Sequence, residues 1–290
     1  MSDVTEASDP SIDAAYNVRL SVDEEEFQRT VAAYRTESER ATRDLPGHLA
    51  IPYDERSGER LDVWGIGDRP RPVFLVIHGG YWRMLSRQDT AFMARAFSDA
   101  GIATVAVDYS LAPAVTLEEI VRQVRAAVAW VHHHGTEYGL DPRRIVVGGS
   151  SAGGHLTAAT MVGGWQEEWG LPADVVKGGL PISGLFDLRP LVRSFTNEWL
   201  RLDEERAADL SPLLSADTCG PRAVVAVAEH DGTGFLDQSR RFHAAWSAHS
   251  AGELLVVPGR HHYDVFLDLA DPTSVLFRKA LELFHGTENA

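Results

Sequence analysis

From about residue 48 onward the chain alternates between short apolar runs and longer stretches whose apolar residues fall at helical spacing. The runs at 73–77, 102–107, 145–149, 178–182, 223–228 and 253–257 are hydrophobic at nearly every position. Strands covered on both faces look like this, because neither side of the pleat needs to meet water. Helical spacing predicts helices over about 87–100, 117–134, 152–163, 233–249 and 273–285. Two shorter strands are expected over 48–53 and 60–63. The alternation predicts an α/β fold with a mainly parallel central sheet and helices on both faces. Before it, residues 1–45 are polar and helical in pattern, with Phe27, Val31 and Tyr34 on one face. They are expected to form an arm packed on a domain spanning 46–290. The less regular stretch 183–222 is expected to supply a cap or a pocket wall. No internal repeat or low-complexity linker interrupts the pattern.

The most informative segment follows the 145–149 run. Gly149-Ser150-Ser151-Ala152-Gly153 fits G-x-S-x-G, and a helix-compatible stretch comes next. A serine on a sharp strand-to-helix turn projects its hydroxyl from a cramped backbone, so glycines are needed two residues to either side. Ser151 has glycine at both places. Ser150 has Gly148 before it but Ala152 after it, which leaves Ser151 as the candidate nucleophile. The bland alternative, a glycine-rich turn with no chemistry, loses ground to what lies elsewhere in the chain.

The 73–77 run ends in His78-Gly79-Gly80-Tyr81-Trp82. A His-Gly-Gly segment after a central strand supplies backbone N–H donors for an oxyanion hole. The expected donors are the amides of Gly80 and Tyr81, joined by Ala152 just after the nucleophile. His78 is read as bracing the loop. Late in the chain, one strand runs into Glu229-His230-Asp231 and the next into Gly259-Arg260-His261-His262. Nucleophile, then acid, then histidine is the chain order of a triad in this fold. A carboxylate fixes the imidazole tautomer and the imidazole takes the serine proton.

Composition narrows the partners. A length of 290 residues suits one large α/β domain. The net charge of −15 argues against nucleic acid or an anionic membrane as partner. Much of the charge is local, since residues 1–26 hold eight acids and a single base, Arg19. Cys219 is the only cysteine, so no intrachain disulfide forms. No apolar stretch reaches membrane-spanning length and no signal-like start is seen. A cytoplasmic setting follows as the expectation, with a small-molecule partner and the question of a homo-oligomer left open.

The chain resembles the arylformamidase (kynurenine formamidase) type of α/β-hydrolase, within the hormone-sensitive-lipase-like esterases. The likeness covers most of the chain. It rests on Ala15-Tyr16-Asn17, the His78–Trp82 segment, Asp108-Tyr109-Ser110-Leu111-Ala112-Pro113 and Ser151-Ala152-Gly153-Gly154-His155-Leu156. It rests further on Ser183-Gly184-Leu185-Phe186-Asp187-Leu188, on His230-Asp231 with Gln238-Ser239-Arg240, and on His262-Tyr263-Asp264. The resemblance implies Ser151 as nucleophile, Asp231 as acid and His262 as base, with no cofactor and no metal. Two departures bear on substrate identity. Ser150 stands where the family commonly has His, and Asp231-Gly232-Thr233-Gly234-Phe235 replaces the frequent Asp-Ser-Pro-Glu-Phe.

Other residues have plainer readings. His132-His133-His134 point in different directions from a helix end and suit its negative pole better than a metal. Asp187 comes too early in strand order for the triad acid, and Asp108-Tyr109 suits a structural hydrogen-bonding role. Tyr81, Trp82 and Phe235 are expected to line a flat slot for an aromatic leaving group, with packing of the loop an equal reading for Trp82. The expected chemistry is acyl transfer from an aryl formamide or a small ester through an acyl-enzyme. A short-chain carboxylesterase and a non-catalytic hydrolase-fold binding protein are the alternatives.

Overall fold

The structure, a computed structural model, describes residues 8–216 and 219–285. The acids Asp3 and Glu6 of the charged arm, the first residues of that arm and the last five of the domain lie outside the described residues. An eight-stranded sheet forms the centre. Its strands are β1 (Gly47–Pro52), β2 (Arg60–Trp64), β3 (Arg71–Ile77), β4 (Ala103–Val107), β5 (Leu140–Ser150), β6 (Val176–Ile182), β7 (Arg222–His230) and β8 (Gly252–His261). They lie in the order β1-β2-β4-β3-β5-β6-β7-β8. β2 is antiparallel to both neighbours, and every pairing from β4 through β8 is parallel.

The apolar runs of β3 to β7 form strands covered on both faces, whereas in β8, last in the sheet order, only Val257 of the run is buried and Val256 is exposed. Along β3, Val73, Leu75 and Ile77 enter one core while Phe74 and Val76 enter the other. β5 divides in the same way, with Ile145 and Val147 on one side and Val146 on the other. β5 begins at Leu140, earlier than its apolar run, because Leu140 pairs with Arg71 across an irregularity in the ladder. Polar Asp141 and Arg143 in that extension hide it from the hydrophobic pattern.

The helices are α1 (Pro10–Tyr16), α2 (Glu24–Thr42), α3 (Ala94–Asp99), α4 (Leu117–His134), α5 (Ala152–Met161), α6 (Asn197–Leu200), α7 (Glu204–Asp209), α8 (Thr233–Ser247) and α9 (Val275–Glu282). Asp23 caps α2, Thr116 caps α4 and Ser274 caps α9, each accepting from a first-turn amide. All ten residues of α5 are buried, so it packs on every side rather than along one stripe. The helix expected over 87–100 is broken. A short 3-10 turn at Arg87–Asp89 precedes α3. The reason is tertiary: the Arg87 amide donates to Asp108 (2.7 Å), and its guanidinium pairs with Asp62 and Asp108. Those contacts hold the segment out of a continuous helix.

The chain leaves β3 for β4 on one side and returns to β5 on the other. The loops after β3 and β5 therefore diverge and leave a crevice at the carboxyl ends of the strands, where open α/β sheets bind ligands. Among the described residues no helix is long and apolar enough to cross a membrane.

Candidate active site

Ser151 sits between β5 and α5 with φ 60° and ψ −120°. This is a strained conformation for a residue with a side chain. The neighbouring glycines are what permit it. A Cβ on Gly149 would stand 2.5 Å from the Ile77 carbonyl oxygen, and one on Gly153 would stand 2.2 Å from the same atom. No side chain fits at either place, so the spacing in the sequence is a packing requirement between β3 and the start of α5.

The loop after β3 lies against this turn. A Cβ on Gly79 would approach the Ser150 carbonyl oxygen to 2.8 Å. Gly80, Tyr81 and Trp82 all have positive φ, at 89°, 49° and 58°. Among the described residues no acceptor takes the amides of Gly80, Tyr81 or Ala152. His78 is wholly buried and braces the loop: it stacks on Tyr109 (4.0 Å between ring centres, 12°) and its Nδ1 lies 3.0 Å from the Gly79 carbonyl. The Tyr109 hydroxyl donates to the carbonyls of His78 and Gly79 (3.0 and 3.1 Å). Burial lowers the His78 pKa, which suits a neutral ring.

Asp231 follows β7 and His262 follows β8. His262 Nδ1 is 2.9 Å from Asp231 Oδ1, and the same oxygen accepts the Gly232 amide at 2.7 Å. Both side chains are almost fully buried. Adjacent His261 faces another way, with Nδ1 accepting from the amides of Tyr263 and Asp264 and Nε2 3.4 Å from Glu26. Asp187 is committed elsewhere, bonded to Arg189 (2.8 Å) and Arg241 (2.9 Å). The rings of His132, His133 and His134 stand at 82° and 69° to one another along the end of α4.

Ser151 and His262 line one cavity of about 270 Å³. Its floor carries Gly79, Gly80, Tyr81, Ser150 and Thr90, and its walls are largely aromatic and aliphatic. The arm supplies one whole side: Asn17, Val18, Arg19, Phe27, Val31 and Tyr34. The stripe on α2 thus faces the cavity. Two tyrosine hydroxyls fasten it there. Tyr34 donates to the Tyr263 carbonyl (2.5 Å), and Tyr81 donates to the Tyr16 carbonyl. The stretch 183–222, expected to supply a cap or a pocket wall, contributes among its described residues Phe195 to the lining, with Trp199 Nε1–H donating to the Tyr81 carbonyl (3.0 Å).

Of the three residues expected to line the slot, Tyr81 reaches the cavity and Trp82 and Phe235 do not. Trp82 is wholly buried and its indole N–H donates to His155 Nδ1 (3.3 Å). Left-handed backbone at Tyr81 and Trp82 turns Tyr81 toward the cavity and Trp82 into the core. Phe235 is also wholly buried, packed behind His262 (4.5 Å) and against Tyr16 (5.8 Å). The cavity's aromatic lining comes from Tyr81, Tyr263, Phe27, Tyr34, Phe195 and Phe266. Tyr263 and Phe266 stand just beyond the histidine that the sequence singles out.

Comparison with known proteins extends this picture. The family model BD-FAE matches residues 66–177. The kynurenine formamidase of Salmo salar is 31% identical over 262 residues, covering 87% of this chain and 87% of that protein. The kynurenine formamidase of Danio rerio is 31% identical over 278 residues, covering 92% of each. A crystal structure from Silicibacter sp. tm1040, a provisionally assigned thioesterase, superposes with a TM-score of 0.79 at 27% identity and covers 92% of this chain and 97% of that chain. A metagenomic carboxylesterase shares the fold at a TM-score of 0.71 and 23% identity, covering 91% and 96%.

Proposed function

Because this chain belongs to the kynurenine formamidase family of α/β-hydrolases, we propose that it hydrolyses an aryl formamide of the N-formylkynurenine kind through an acyl-enzyme. Ser151 is the nucleophile, His262 the general base and Asp231 the residue that fixes the imidazole tautomer. The observation that carries the reading is the shared cavity, which both the Asp231-held imidazole and the strained serine line.

Ser151 Oγ attacks the formyl carbon as His262 Nε2 takes its proton. The amides of Gly80, Tyr81 and Ala152, without internal acceptors, receive the developing oxyanion; a single such donor is worth about 100- to 1000-fold in rate. Imidazolium protonates the departing aniline nitrogen and Asp231 stabilises the cation. Water, activated by the same imidazole, then attacks the formyl-enzyme and releases formate. Residues of this chain carry every step. A cytoplasmic setting belongs to the same reading.

Short-chain ester hydrolysis is the second reading, favoured by Ser150. It lines the cavity beside the nucleophile, where a histidine common in the family would take more room.

A hydrolysis panel of N-formylkynurenine with p-nitrophenyl acetate, butyrate and octanoate tests the assignment. The cavity lies at the small end of ligand pockets, which run from about 300 Å³. Formyl and acetyl substrates are expected to exceed octanoyl at least tenfold in kcat/KM, about 1.4 kcal/mol of transition-state discrimination. A preference for octanoate would replace the formamidase reading with a general carboxylesterase. Failure of a fluorophosphonate to label Ser151 would favour a binding protein instead.

A further inference from the structure

The cavity wall is largely apolar. Among the described residues lining it, Arg19 is the only arginine or lysine. Its guanidinium lies over the Phe27 ring, 4.2 Å from the centroid. Phe27 packs edge-on against Tyr263 (5.1 Å), and Tyr263 against His262 (5.6 Å). A continuous row therefore runs from the imidazole to the cation. The guanidinium also opposes the upward push that burial gives the Tyr263 hydroxyl, whose pKa reaches about 12.

The direction of this row matters. His262 must hand its proton to the departing group, so that group lies on the histidine side of the scissile bond. The acyl group lies on the other side. Tyr263, Phe27 and Arg19 thus follow the leaving group outward. We propose that Arg19 is a specificity-determining residue that binds a carboxylate carried by the leaving group, selecting aryl substrates with an acidic side chain over neutral ones. The inference rests on the hydrolase reading above and deepens it.

The donors are available. A guanidinium has five N–H groups, and two of them are engaged, with the Val22 carbonyl and with Glu24. The Arg19 side chain is 33% exposed, whereas that of Glu24 is 68% exposed. Glu24 can be rehydrated at little cost when a substrate carboxylate arrives, and an exposed ion pair of this kind contributes little by itself. Stacking on Phe27 holds the guanidinium plane in place for a bidentate contact. Asp23, Glu24, Glu25 and Glu26 lie on the same arm, with Arg29 paired to Glu26 outside the cavity lining. Among the described residues lining the cavity, Arg19 is the guanidinium available to an anionic leaving group.

The test uses two substrate pairs: N-formylkynurenine with its primary carboxamide, and 3-(2-acetoxyphenyl)propanoate with its primary carboxamide. The quantity read is the acid-to-amide ratio of kcat/KM. Wild-type protein is expected to prefer the acid. Arg19→Gln lowers the ratio at least tenfold, chiefly through the KM of the acid, and Arg19→Lys keeps part of it. A structural role for Arg19 would lower both members of a pair alike and leave the ratio unchanged, which overturns the proposal. So does a wild-type enzyme that does not distinguish acid from amide. Should Arg19→Gln fail to fold, the wild-type ratio itself must fall as salt rises to about 1 M, where screening acts within ~3 Å; a salt-independent ratio also overturns the proposal. Turnover of the ester pair alone would remove the formamidase reading while still reporting on Arg19.

Discussion

At the scale of single residues the candidate site is decided by which neighbour faces where. Ser150 and Ser151 both line the cavity, but only Ser151 occupies the strained turn. Ser151→Ala is expected to abolish hydrolysis and Ser150→Ala to retain at least a tenth, read as kcat/KM on the best substrate. His261 and His262 divide in the same manner. His262→Ala should be inactive, while His261→Ala, which loses the contacts to the Tyr263 and Asp264 amides, keeps measurable turnover. An inactive His261→Ala beside an active His262→Ala would shift the register by one. Asp231→Asn is expected to fold and to lose most of kcat. The amide would support the wrong imidazole tautomer, an effect of about 10⁴-fold in the serine proteases for which it is known. Near-normal turnover would move the acid elsewhere. These candidates can be picked out of the sequence because glycine spacing and chain order each encode geometry. The directions of Trp82 and Phe235 cannot, since they depend on the left-handed backbone at Tyr81 and Trp82 and on the face of α8 that packs under His262.

At the scale of elements, the strand runs are visible because a parallel sheet covered on both sides leaves no polar position in the middle of a strand. The role of α2 is not visible. Apolar residues at helical spacing look alike whether the face meets a core or an empty cavity, and Phe27, Val31 and Tyr34 meet the cavity. Less visible still is how tightly α5 is set into the sheet. A Cβ on Gly153 would stand 2.2 Å from the Ile77 carbonyl oxygen and 2.8 Å from that of His78. Both are backbone atoms of the β3 end and its loop, so neither can swing aside. Gly153→Ala is therefore expected to destabilise by at least the 1–3 kcal/mol of ordinary overpacking. It should also disturb the loop after β3, so a chemical melt will show a lower midpoint and the folded fraction a lower kcat. An unchanged midpoint would mean that the β3 loop yields more easily than its geometry implies.

At the scale of the whole molecule, the buried polar groups set the response to acid. His155 is wholly buried, accepting from the Trp82 indole and lying 2.9 Å from the Leu210 carbonyl. Burial lowers its pKa from 6.5 to about 4. The unfolded chain takes up this proton below pH ~6.5 and the folded protein does not until about pH 4. Stability contributed by His155 is complete above pH 6.5 and is lost as the pH falls toward 4, by about 3 kcal/mol across that window. His155→Gln should flatten this part of the stability-against-pH curve measured by denaturant melts. Parallel curves for the two proteins would show that the ring is not held neutral.

The hydroxyl of Tyr34 that meets the Tyr263 carbonyl joins positions 229 residues apart in sequence. The first helices leave the ribosome long before β8 exists, so the wall they provide has nothing to close against until synthesis is nearly over. Closing so long a loop also costs more entropy than pairing neighbouring strands. The central sheet can thus assemble around an unfinished pocket, whose wall is completed when Tyr34 and Tyr263 meet. Refolding is expected to restore the sheet before this wall closes, so the acid-to-amide selectivity should recover later than the secondary structure, read by stopped-flow circular dichroism beside activity.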